Sequence, residues 1–172
     1  LIVFQLHEHI CRTIVHADPH RCTYVDNTDV GAMLRRLLEV GVAGLAAQRA
    51  SSNDLVVMAE EITSMFASLD DPQDFLVHDI RFHRALAAAS SNPILASLVE
   101  MVSGLFYESR KANVHRARDL RESAEMHRRI YHAVRARDVV AARSAMDQHL
   151  GLSERAQLSE EAAALDPHTP AG

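Results

Sequence analysis

Glycine and proline are scarce from residue 32 to residue 165, and no part of that stretch alternates polar and apolar residues as a half-buried strand does. A chain so poor in turn-formers buries its apolar residues by folding as helices, and the apolar spacing agrees. Residues 30–50 predict a first helix, with Leu34, Leu37 and Leu38 on one apolar face, a gap at Gly41, and the face resumed at Val42, Leu45 and Ala46. Thr28 or Asp29 can cap its start. Asn53 or Asp54 can cap a second helix that reaches about residue 68 and turns Leu55, Met58, Ile62, Met65 and Phe66 to one side. Leu69-Asp70-Asp71-Pro72 reads as a turn, with Pro72 suited to the first position of a third helix that carries Phe75, Asp79, Phe82, His83 and Leu86. Asn92 caps a fourth helix running to about residue 113, a fifth spans about 120–136, and Asp138 caps a sixth that reaches at least Leu150 and extends toward Ala164. The fold class is therefore all-α, an antiparallel bundle of six to seven helices.

The ends of the chain read differently. His20-Arg21-Cys22-Thr23-Tyr24-Val25 is a short extended segment beside a turn at Asp18-Pro19. This divides the chain into an N-terminal arm over 1–27, a helical domain over 28–165 and a disordered tail over 166–172. The apolar opening is too short to span a bilayer and lacks the basic flank and cleavage site of a signal peptide. Cys11 and Cys22 form no close pair, which fits free thiols in a reducing cytoplasm. A net charge of −5 argues against this chain gripping DNA by itself. The locally basic segment over 110–137 is offset by Asp119, Glu122 and Glu125 and reads as a solvated helix face.

Eleven histidines stand out, and four polar positions among the helices form a pattern. Asp79 and His83 are one turn apart on one helix face and can reach one ion together. The junction at Arg137-Asp138 is too short for anything but an antiparallel hairpin, and His127 and His149 lie equally far from Asp138 on either side. Equal spacing sets the two imidazoles at one height, roughly 16 Å from the bend. Two readings stay open on this geometry: buried histidines satisfied by hydrogen bonds, or a metal centre. Three imidazoles and one carboxylate suit zinc, nickel, cobalt, iron or manganese. His7, His9, His16, His20, His115 and His168 fall in loops or ends, and His78 and His132 fall off these faces, so all eight read as surface or structural.

Four motifs in order resemble the FadR-type C-terminal domain of GntR transcription regulators. They are Leu34-Arg35-Arg36-Leu37-Leu38-Glu39 followed by Leu45-Ala46-Ala47-Gln48-Arg49-Ala50; Asp79-Ile80-Arg81-Phe82-His83 with Ala89-Ser90-Ser91-Asn92-Pro93; His127 with Ile130 and Ala133-Val134; and Asp138, Ala141-Ala142, Met146 and His149-Leu150. The resemblance implies a ligand cavity, a homodimer, and one divalent transition metal, zinc or nickel, held by Asp79, His83, His127 and His149. It also implies an effector-binding role for Arg35, which can pair with a small carboxylate by a bidentate bond. Met33 stands where the family usually has Glu, which leaves the effector contacts beyond Arg35 open.

The expected function is effector sensing in a metabolite-responsive regulator. DNA would be read by a winged helix-turn-helix mostly absent from this chain, whose wing resembles the segment at 20–25, so no DNA-binding residue is assigned. Two rivals are a metal-dependent hydrolase or lyase, for which a placed general base is missing, and a metal-free helical dimerisation module.

Overall fold

A computed structural model of the chain describes residues 27–105, 107, 111 and 120–164. The extended segment at 20–25, the rest of the arm and the tail at 166–172 lie outside these residues. Among the described residues there are six α-helices and no strand: α1 (Asn27–Arg49), α2 (Ser52–Ala67), α3 (Pro72–Ala89), α4 (Pro93–Leu105), α5 (Leu120–Arg135) and α6 (Val139–Ala164). Tyr107 and Lys111 are also helical, and the rest of 106–113, over which the sequence extends the fourth helix, lies outside the described residues. From Gly31 on, α1 and the other helices belong to one compact unit. Within it α2 packs along α3, α5 packs along α6, and α3 also meets α4 and α5.

Short polar caps fix where α2, α3 and α4 start. Ser51, rather than Asn53 or Asp54, caps α2: its hydroxyl accepts from Asp54 N, and the Asp54 carboxylate accepts from Ser51 N at 2.8 Å. Four consecutive residues here are cap-formers, and the reciprocal pair selects the one with a carboxylate three positions on. Asp71 accepts from the amides of Gln73 and Asp74, and Pro72 opens α3. Asn92 Oδ1 accepts from Ile94 and Leu95, starting α4. The first helix begins at Asn27, so Thr28 and Asp29 lie inside it and do not cap it. Leu37 also departs from expectation. It is 70% exposed, and the buried face of α1 runs through Glu39, Val42, Ala43, Ala46 and Ala47 instead.

The α5–α6 turn sets the register that matters for the site. Arg137 has a left-handed backbone (φ 61°), its N–H donates to Val134 O, and Asp138 N–H donates to Ala133 O. That bond pair closes a helix with a Schellman turn, a place usually filled by glycine. The left-handed form costs a non-glycine residue roughly 1–2 kcal/mol. Here the Arg137 guanidinium donates to Ala50 O at 2.5 Å, so the same residue that makes the turn also ties it to the end of α1. Asp138 Oδ1 then accepts from Ala141 N at 2.9 Å and caps α6, as the sequence suggests. Asp138→Ala is expected to lower stability by about 1 kcal/mol in urea unfolding, with no change in helix content.

The core between the helices is apolar and tightly filled. Phe75, Phe82 and Leu86 of α3 pack with Met58 and Met65 of α2, Ile130 and Val134 of α5, and Met146 and Leu150 of α6. Four ionisable side chains sit in the same interior as Glu39: Asp79, His83, His127 and His149 are all buried.

Candidate metal centre

Each of these four side chains reaches the interior for a local reason. Asp79 and His83 are one turn apart on α3, on the face that also buries Phe75, Phe82 and Leu86. His127 lies on the strongly amphipathic α5 beside Ile130 and Val134. His149 lies on α6 between Met146 and Leu150. The tight turn at Arg137 brings His127 and His149 level, and their ring centroids are 4.2 Å apart.

All four groups converge. His127 Nε2 is 3.1 Å from Asp79 Oδ1 and 3.3 Å from His83 Nε2, and His83 Nε2 is 3.9 Å from Asp79 Oδ1. The His149 ring is 5.3 Å from that of His83, and one ligand-type atom from each residue lies within 4.8 Å of all the others. Ligands each about 2.1 Å from a common ion stand roughly 3.0–3.4 Å from one another. The shorter separations match that value, and the wider ones, up to 4.8 Å, must close by side-chain adjustment for all four groups to ligate one ion.

The outer edges of the rings sharpen the chemistry. His127 Nδ1 lies 2.8 Å from the Ser123 carbonyl, which can only accept, so Nδ1 carries the proton. His83 Nδ1 lies 2.5 Å from Glu39 Oε2, again an acceptor. With both rings neutral and their protons on Nδ1, the two Nε2 lone pairs turn inward, toward each other and toward a carboxylate oxygen. A proton on one Nε2 relieves one of these contacts, whereas a cation between them relieves all three. Imidazole ligands of metals are held in this way, with the far N–H on a carbonyl or carboxylate. Phe82 meets His83 and His127 edge-on, with centroids 5.9 and 5.0 Å away, and forms an apolar wall to the cluster.

Burial pushes the His149 imidazole well below the usual histidine range, and positive charge on His127 or His83, when either is protonated, pushes the same way. The linked sign is clear. Below about pH 6.5 the unfolded chain binds a proton at residue 149 that the folded chain refuses, so this contribution to stability is present above that pH and lost as pH falls. In metal-free protein, urea unfolding between pH 7.5 and 5.5 is expected to show stability falling with acidification. His149→Phe is expected to flatten the slope.

Glu39 was not marked as a site residue by the sequence, and it is the main addition. It is 3% exposed, with Oε1 accepting from Arg35 Nε at 3.0 Å and Oε2 on His83. Arg35 therefore stands next to the cluster through Glu39, and its charge is felt at His149. The signal available in the sequence was an acid one turn after Arg35 and on the side of Val42 and Ala46. His78 is engaged elsewhere, 2.7 Å from Glu61, and His132 is exposed. Asp74 and Glu125, the acids that neighbour these motifs in sequence, are engaged elsewhere: Asp74 accepts from Ser68 Oγ, and Glu125 pairs with Arg128.

A helical domain built around a buried carboxylate and three imidazoles has a donor set able to hold a metal ion. The chain belongs to the FCD-domain family, the FadR-type C-terminal domain of GntR regulators, whose family model matches residues 32–152. It is 36% identical over 128 residues to the HTH-type transcriptional regulator LutR of Bacillus subtilis (strain 168), a match covering 68% of this chain and 56% of that protein. It is 30% identical over 117 residues to the galactonate operon transcriptional repressor of Escherichia coli (strain K12), covering 65% of this chain and 49% of the repressor. Among solved structures, the Streptococcus agalactiae GntR protein superposes with a TM-score of 0.62 at 28% identity, over 82% of this chain and 66% of that one. The chain spans about half the length of the curated relatives it matches. These relatives are named as transcription regulators, in agreement with the expectation of a non-enzyme. No described helix is long and apolar enough to cross a membrane.

Proposed function

We propose that this chain is the effector-sensing part of a metabolite-responsive transcription regulator, with one divalent transition metal, zinc or nickel, held by Asp79, His83, His127 and His149. The observation that carries the reading is the convergence of two imidazole Nε2 lone pairs and the Asp79 oxygen at 3.1–3.9 Å inside an otherwise apolar core. When bound, such an ion supplies Lewis acidity toward an anionic oxygen. The protein supplies the fixed donors, the apolar wall of Phe82 and, beside the cluster, the positive charge of Arg35. A small carboxylate satisfies both features. One relative's name refers to galactonate, which is a carboxylate.

In this reading 28–165 form the sensing domain, 1–27 an arm and 166–172 a tail. The complete regulator is a homodimer that reads DNA through a winged helix-turn-helix, and the carboxylate shifts the balance between two arrangements of the helices. The test is a thermal-shift series with sugar acids, hydroxy acids and dicarboxylates on metal-loaded and metal-free protein. A shift with some carboxylate on the loaded form alone supports the reading. No shift with any of them on the loaded form counts against it.

A further inference from the structure

Glu39 lies on α1, buried on a face otherwise formed by Val42, Ala43, Ala46 and Ala47, and it belongs to none of the four ligand positions. A carboxylate in such a place costs stability unless partners hold its charge. Its two oxygens are divided: Oε1 takes the Arg35 Nε–H at 3.0 Å, and Oε2 lies 2.5 Å from His83 Nδ1 on the neighbouring helix α3. A carboxylate oxygen that close, fixed on one side by a cation one turn away, favours the neutral His83 tautomer with its proton on Nδ1, where a small turn of the ring aims that N–H at Oε2. In that tautomer the Nε2 lone pair faces His127 Nε2, 3.3 Å away.

We propose that Glu39 is a positioning residue for the metal centre, holding His83 in its ligating tautomer and tying α1 to the state of the site. The inference rests on the reading of the four buried residues as metal ligands. An ion that draws electron density from His83 makes its Nδ1–H a stronger donor, so the bond to Glu39 strengthens when the site is loaded. α1 thereby responds to an ion that it does not ligate. Arg35, on the far oxygen of the same carboxylate, links the tie to the side chain expected to meet the effector.

The test compares wild type, Glu39→Leu and Glu39→Gln. Leucine keeps the volume without an acceptor, and glutamine keeps one oxygen acceptor. Zinc affinity is measured by competition with a chromophoric chelator, His83 tautomers by nitrogen-15 NMR, and α1 protection by hydrogen exchange at saturating zinc. Glu39→Leu is expected to bind zinc about 10–100-fold more weakly. Glu39→Gln is expected to recover much of that loss. Zinc-free wild type is expected to carry the His83 proton on Nδ1, and Glu39→Leu to populate the Nε2–H form. Zinc is expected to slow exchange across α1 in wild type and not in Glu39→Leu.

A folded Glu39→Leu that binds zinc as tightly as wild type, with the same His83 tautomer, overturns the proposal while leaving the metal centre intact. So does Nε2 protonation of His83 in the zinc-free wild type, a result that needs no variant. Wild type that takes up neither zinc nor nickel overturns the metal reading and the role of Glu39 together.

Discussion

Metal-free protein given zinc or nickel at about a thousand times the dissociation constant is expected to gain about 4 kcal/mol of stability. For a chain of this size that corresponds to a rise in Tm of roughly 8–16 °C. The gain follows from linkage, because the ion binds the folded arrangement of Asp79, His83, His127 and His149 and the unfolded chain offers no equivalent set. The buried site also removes a cost, since it relieves the opposed lone pairs of His83 and His127 and the Asp79 oxygen. His127→Phe separates this effect from general stabilisation. Phenylalanine keeps a ring against Phe82 but removes both nitrogens, so the variant is expected to fold and to lose most of the metal-dependent rise. Differential scanning calorimetry with and without metal checks both proteins. An equal rise in wild type and His127→Phe would place the ion elsewhere.

Phe82→Ala is expected to be among the most damaging single truncations, costing about 3–5 kcal/mol. That is roughly 6–20 °C in Tm. Phe82 is 0% exposed, belongs to the central cluster, and touches His83 and His127 edge-on. Removing it leaves a cavity directly beside two ligands, so metal affinity is expected to fall together with stability. Phe75→Ala creates a comparable void on the same helix, but Phe75 makes no ring contact with these histidines. It is expected to cost similar stability with a smaller loss of metal affinity. Urea unfolding combined with metal titration of the two variants distinguishes packing from ligand positioning.

Much of the fold was legible because helix starts are written in single residues. Pro72 opens α3, and Asn92 and Asp138 hold the caps, as the sequence assigns. The His127–His149 level was legible from counting about Asp138, because a three-residue hairpin turn leaves the register no freedom. The left-handed Arg137 that makes this turn was not legible. No glycine marks it, and its compensation is a bond to the Ala50 carbonyl, which is distant in sequence. The start of α2 was misplaced by two to three residues because Ser51, Ser52, Asn53 and Asp54 are all cap-formers and only reciprocity selects among them.

The limits of the site were of the same kind. Asp79 and His83 share a helix face, and the periodicity shows it. Which face of α1 turns inward depends on its tertiary neighbours. Leucines at 34, 37 and 38 drew the apolar face too far toward Leu37, which is solvent-exposed. Glu39 then drew no attention as a site residue. Its burial and its contact with His83 follow from α1 lying against α3, which local sequence does not encode.

The most direct measurement of the central claim is an anomalous-scattering experiment on crystals grown from protein loaded with zinc or nickel. The expected result is one peak per chain at the absorption edge of the added metal, bounded by Asp79 Oδ1 and by imidazole nitrogens of His83, His127 and His149. Ordered side chains at these four positions with no transition-metal peak among them would contradict the account.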